Sequence, residues 1–197
     1  MRLTGVDLAA VRGGRTVFTG LSFGVGAGEL LAVTGANGAG KSTLVRLIAG
    51  LIRPAAGTIS LDPASEAGIA GVLHYLGHLD GLKTALTVRQ NLDFWRALWN
   101  GGPVEPALAR LGLSHLADLP VVVLSSGQKR RLAIARLLIA HRDLWLLDEP
   151  ATGLDAEAED NLGGLIGEHL AAGGMAVVAT HRELPVKATA TLRLGAP

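Results

Sequence analysis

"LLAVTGANGAGKS", Leu30 to Ser42, is the stretch that decides the fold. Leu30 to Thr34 read as a short buried strand, a glycine-rich turn follows, and Lys41 to Ala49 read as a helix closed by Gly50. Inside it, "GANGAGKS" (Gly35, Ala36, Asn37, Gly38, Ala39, Gly40, Lys41, Ser42) fits the spacing G-x-x-x-x-G-K-[ST]. It does so in the strand–turn–helix setting that this phosphate-binding motif requires. The glycines let backbone N–H groups crowd a phosphate without side-chain collision. The pattern assigns Lys41 to the β- and γ-phosphates and the Ser42 hydroxyl to Mg²⁺. Binding of ATP or GTP follows from this motif; hydrolysis needs a second element.

"LWLLDEP", Leu144 to Pro150, supplies that element. An apolar strand ending in acids places a carboxylate at the carboxyl edge of a parallel sheet, beside the phosphate loop. Asp148 is expected to hold Mg²⁺, through water, and Glu149 to polarise the attacking water. His181 follows the strand-like run Met175 to Thr180 and so falls at the same edge, within reach of a γ-phosphate. With Val72 to Leu76 as a further strand, short apolar runs alternate with helical segments. That predicts an α/β, P-loop NTPase fold with a mainly parallel core sheet. The first thirty residues and "GTISLD" read as antiparallel β material at one edge. Thr87 and Gln90, three apart, predict a capping box for a helix carrying Val88, Leu92, Trp95 and Trp99. This helix opens an inserted helical lobe, about residues 82–140, broken at Gly101-Gly102-Pro103. The expectation is a single ATP-binding domain over 1–197.

"LSSGQKRRLAIARLL", Leu124 to Leu138, begins another helix on two hydroxyls and a glycine. Ser125 or Ser126 is its N-cap, and a helix start of this kind also suits an anion. Lys129 to Arg131 read mainly as a solvated face. A net charge of +1 gives no strong field for nucleic acid, and the absence of Cys excludes disulfides and thiolate metal sites. The amino terminus lacks an apolar leader pattern, and no apolar run approaches the roughly 20 residues of a membrane span. A soluble, cytoplasmic chain is therefore expected.

Five elements stand in one order: "GANGAGKS", "LSSGQ", "LLDEP", "ATGLD" with Asp155, and "ATH" at His181. In this the chain resembles the ABC-type ATPase subunits over nearly its whole length. The resemblance implies Glu149, His181 and Lys41 as the catalytic set, and ATP contacts along Gly35–Thr43. It also implies a second ATPase subunit in an ATP-dependent dimer. Ser125, Ser126, Gly127 and Gln128 would then face the ATP held by the neighbour's phosphate loop, with Asp155 close by. Ser126 stands where the family's signature usually has Gly. Arg12 or Phe18 would stack on adenine, and His78 falls where relatives have a Gln that touches Mg²⁺ and water.

The Gly77-His78 pair, "GLIRP", "GHLDGLKTALT" and "GGMAVVATH" resemble one branch, the haem exporter ATP-binding subunits of bacterial cytochrome c maturation. That likeness implies integral membrane subunits as partners and a peripheral place on the cytoplasmic face of the inner membrane. It implies haem only as an indirect concern of this chain, whether ATP drives export itself or the release of a haem-loaded chaperone. Trp95 and Trp99 are candidates either for core packing or for contact with a membrane subunit. Exporters of a lipid, drug or ion, and soluble non-transport ABC ATPases, are the alternative readings.

Overall fold

The computed structural model describes residues 1–66 and 68–195. Two sheets share the molecule. β1 (Arg2–Arg12), β2 (Arg15–Gly26) and β4 (Ala56–Asp62) form an antiparallel sheet in the order β2-β1-β4. β3 (Leu30–Thr34), β5 (Leu73–Leu76), β6 (Leu144–Asp148), β7 (Met175–Ala179) and β8 (Ala190–Arg193) form a parallel sheet in the order β5-β6-β7-β3-β8. The antiparallel strands therefore make a sheet of their own rather than a hairpin on the edge of the parallel one.

β6 and β7 are buried along their whole length, which is why they read as unbroken apolar runs rather than alternating ones. Side chains nevertheless alternate between faces. Leu144 and Leu146 join Val33, Leu44, Ile48 and Val177 in a core shared with Leu3, Leu8 and Val25 of the antiparallel sheet. Trp145 and Leu147 point the other way, into a core with Leu132, Ile134, Leu165 and Ile166. α1 (Lys41–Ile48) covers the first face, against β6 and β7. α4 (Ser126–Ala135) and α5 (Ala156–Ala171) contribute to the second. α2 (Val88–Trp99) and α3 (Glu105–Arg110) precede α4 in the chain, with Leu92 and Leu108 in that second core.

The predicted capping box of α2 is present: Gln90 N donates to Thr87 Oγ1 at 3.1 Å, and Thr87 N donates to Gln90 Oε1 at 2.9 Å. Element ends shift slightly. The first phosphate-loop helix stops at Ile48, β5 starts at Leu73 and β7 stops at Ala179. β8 went unread because its four residues, ATLR, are largely exposed and carry no apolar run.

His74 is inside β5, 1% exposed. Its Nε2–H donates to the Ala140 carbonyl at 2.7 Å, and its ring lies 4.7 Å from that of Trp99. Burial lowers its pKa from 6.5 to about 4, outweighing the Ala140 bond that favours the charged form. Above the unfolded value the ring is neutral in both states. Below it the unfolded chain takes up a proton that the folded chain refuses, so stability declines as pH falls from about 6.5 to about 4. The decline reaches at most about 1.4 kcal/mol per pH unit from this residue. Urea unfolding between about pH 7.5 and pH 5 should show a shallower pH slope for His74→Gln than for the parent chain. Equal slopes would contradict this account.

Candidate nucleotide site

Parallel strands bring their carboxyl ends to one edge, so β3, β6 and β7 deliver the phosphate loop, Asp148-Glu149 and His181 side by side. β7 lies between β3 and β6, which sets those two strands about 10 Å apart. The first turn of α1 spans this gap. Gly40 is its N-cap with φ 102°, a conformation suited to glycine, and a β-carbon there would collide with Val17 and crowd Phe18. Phe18 therefore packs against the loop, whereas Arg12 is exposed at the tip of the β1–β2 hairpin.

A cavity of about 450 Å³ lies at this edge, lined by Asn37, Gly38, Gly40, Lys41, Ser42, Thr43, His78, Glu149, Thr152 and His181. Lys41 Nζ donates to the carbonyls of Gly35 at 2.9 Å and Ala36 at 3.3 Å, and stands 3.7 Å from Glu149 Oε1. Ala39 N closes the loop's turn onto the Ala36 carbonyl at 3.1 Å. His181 Nδ1 is 2.9 Å from Glu149 Oε2. Glu149 itself has φ 49°, a left-handed backbone that is costly for a residue with a β-carbon. His78 is exposed and shares this cavity, while His74 is enclosed in the sheet.

The Ser42 hydroxyl donates to Asp148 Oδ1 at 2.8 Å. Asp148 is fully buried, and its Oδ2 has no hydrogen-bond partner among the described residues. An unpaired buried carboxylate oxygen is costly unless something else meets it. A hydroxyl and a single carboxylate beside a phosphate site match the way Mg²⁺ is usually held, with phosphate and water oxygens completing the octahedron. The residues thus fit the ion, whereas the His78 imidazole is a poor ligand for it.

The signature residues lie elsewhere. Ser125 is the N-cap of α4: its Oγ accepts from Gln128 N at 3.2 Å, and Gln128 Oε1 accepts from Ser125 N at 2.8 Å. Ser126 is the helix's first residue rather than its cap. Ser125 and Ser126 are exposed, and none of Ser125, Ser126, Gly127 and Gln128 lines the cavity at Lys41. A β-carbon on Gly127 would press to 3.0 Å from the Gly153 carbonyl, so this glycine allows α4 to seat on the "ATGLD" turn. Asp155 caps α5 through the Ala158 N–H at 2.9 Å and is likewise outside the cavity.

One reading of the sequence is corrected. Arg130 does not belong to a solvated face: it is 4% exposed and bonds the backbone beneath Glu149. Helical spacing carried the signal, because Arg130 shares a face with Ala133, Ile134 and Leu137, all buried. Trp95 and Trp99, in turn, pack against each other with tilted rings 4.5 Å apart and line an open cleft of about 420 Å³ with Phe94, Lys83 and Arg136.

These elements define a P-loop ATPase whose signature helix stands apart from its own phosphate loop, and comparison with known proteins agrees. The profile of the ABC transporter family matches residues 18–152. The chain belongs to the ABC transporter family and, within it, to the cytochrome c biogenesis ATP-binding export proteins. It is 50% identical over 199 residues to "Cytochrome c biogenesis ATP-binding export protein CcmA" of Rhodopseudomonas palustris (strain BisB5), covering 100% of this chain and 99% of the relative. The protein of the same name from Bradyrhizobium diazoefficiens is 49% identical, covering 99% and 98%. A solved structure from Pyrococcus furiosus, 21% identical, shares the fold with a TM-score of 0.87 over 98% of each chain.

The chain binds ATP as a member of this family. Replacing Lys41 with Ala should weaken ATP binding about 10- to 100-fold, the weight of one charge-assisted hydrogen bond. Titration with a fluorescent ATP analogue measures this; unchanged affinity would remove Lys41 from the site.

Proposed function

We propose that this chain is the ATP-hydrolysing subunit of the transporter that serves cytochrome c biogenesis by haem export, and that it works as one ATP-binding unit over residues 1–197. The observation that carries the chemistry is the convergence of Lys41, Glu149 and His181, with Ser42 and Asp148 beneath them, at one sheet edge. Phosphoryl transfer needs little covalent help, so the protein's task is to position the reactants and stabilise charge.

In this reading the loop Gly35–Thr43 cradles the phosphates and Lys41 turns from its loop carbonyls to the β- and γ-oxygens. Glu149 accepts a hydrogen bond from the attacking water, and His181 orients Glu149 and contacts the γ-phosphate. Ser42 and Asp148 would hold Mg²⁺, which would supply charge neutralisation for the phosphates. The exposed Ser125–Gln128 helix start serves the ATP of a second copy, so each site is shared between two chains. His78 takes a place beside the water without serving as a metal ligand.

No described helix is long and apolar enough to cross a membrane. In our reading the chain reaches a membrane through partners, and we place it on the cytoplasmic face of the bacterial inner membrane, bound to integral membrane subunits. The cleft at Trp95 and Trp99, with Phe94 41% and Leu98 61% exposed nearby, offers them an apolar contact. Haem is handled by those partners and only indirectly by this chain. No nucleic acid takes part.

Glu149→Gln should keep ATP binding and lose at least about 100-fold in turnover, about 2.7 kcal/mol of barrier. Introduced in the source cell, it should abolish covalently bound haem in c-type cytochromes while haem synthesis continues. Normal c-type cytochromes in a cell holding the stable, hydrolysis-dead variant would overturn the cytochrome c reading. They would point to an exporter of another substrate.

A further inference from the structure

Arg130 makes five hydrogen bonds from inside the protein. Its Nε donates to the Pro150 carbonyl at 2.9 Å. Nη2 donates to the carbonyls of Asp148 at 3.1 Å and Glu149 at 2.7 Å. Nη1 donates to the Gly77 carbonyl at 3.0 Å and to Asp80 Oδ1 at 2.8 Å. A guanidinium has five N–H donors, and here they meet five acceptors. Three are consecutive carbonyls of the segment that carries the acids. The other two lie on either side of His78, in the loop that follows β5.

This arrangement is an inefficient way to gain stability alone, because burying a charge carries a desolvation cost that well-packed apolar side chains avoid. Its effect on geometry is more specific. Glu149 sits at φ 49°, a backbone conformation that persists only where the surroundings over-determine it. Here the Glu149 N–H donates to the Ala179 carbonyl at 2.8 Å. Its carbonyl accepts from Arg130 Nη2 and from the Thr152 N–H at 3.2 Å. Those three bonds hold the peptide groups on both sides of the Glu149 α-carbon. The carboxylate is thereby directed at His181 and Lys41 rather than at solvent.

We infer that Arg130 is a positioning residue for hydrolysis: from the helix that begins at Ser125, it fixes the backbone of Glu149 and locks it to the loop bearing His78. Asp80 sets the rotation of the guanidinium. The Asp80 carbonyl also accepts from Arg136 Nη1 at 3.0 Å, and the Arg136 guanidinium lies 4.9 Å over the Trp95 ring. One loop thus joins the aromatic cleft to the bonds that set Glu149. The inference rests on the reading of Glu149 as the residue that polarises water.

Arg130→Lys is the informative variant. It keeps a charge opposite Asp80, but one ammonium cannot bridge acceptors spread along two segments. Single-turnover hydrolysis, KM and binding of a fluorescent ATP analogue would be measured on the full chain for Arg130→Lys, Glu149→Gln and the double variant. Arg130→Lys should hydrolyse at least about 10-fold more slowly, with KM and ATP affinity within about 3-fold of the parent, and should add no further loss to Glu149→Gln. A parental rate in Arg130→Lys, or losses that multiply in the double variant, would overturn the inference while Glu149→Gln stays inactive. A Glu149→Gln chain that hydrolyses at the parental rate would instead overturn the reading of Glu149, and this inference with it. If Arg130→Lys melts below the assay temperature, Asp80→Ala provides the same test. It should slow hydrolysis about 3- to 10-fold, again without adding to Glu149→Gln; a parental rate would count against the inference.

Discussion

A hydrogen bond of 2.8 Å between the Ser42 hydroxyl and the Asp148 carboxylate joins residues 106 apart in the chain, and the functional edge of the molecule depends on it. β3 and β6 run the same way and end level, so Asp148, the last residue of β6, meets Ser42 in the first turn of α1, which follows β3 across the phosphate loop. Parallel strands bury both faces, so the sheet must be covered twice: by α1 and the antiparallel sheet on one side, and by α4, α5 and the helical segments on the other. The layered architecture follows from holding these two oxygens together.

The same edge concentrates buried polar groups, and their pairing separates structural roles from chemical ones. Among the described residues, two buried side-chain atoms lack a partner: His74 Nδ1 and Asp148 Oδ2. The first is the acceptor nitrogen of a neutral ring whose other nitrogen serves Ala140. The second belongs to a fully buried carboxylate beside a phosphate loop, in a position where a cation would satisfy it. Arg130 is the converse case, a buried charge with its bonding capacity filled by the backbone that sets Glu149.

Much of this was legible in the chain. The phosphate loop is contiguous, and its strand and helix flank it directly. Asp148 and Glu149 end an apolar run, and both capping boxes reduce to residues three apart. What escaped depends on distance in sequence or on packing direction. Arg130 was hidden between two other basic residues, and its burial is a matter of which helix face meets the core. β8 has too little apolar content to announce itself, and the independence of the antiparallel sheet is a property of hydrogen-bond partners rather than of residue type. Ser125, not Ser126, proved to be the cap because Gln128 lies three residues after it.

The remaining constraint concerns what one chain lacks. Ser125 and Gln128 bind each other's backbone and hold the helix start open to solvent, outside the cavity that contains Lys41. Under the proposed shared site, positioning groups come from two chains and hydrolysis waits for their closure. The most direct measurement is the mass in solution of Glu149→Gln, with and without ATP and Mg²⁺, beside the same chain carrying Ser125→Arg. A dimer that forms only with ATP and is lost in Ser125→Arg, while ATP still binds, is the predicted result. An ATP-dependent dimer that survives Ser125→Arg would contradict the shared site.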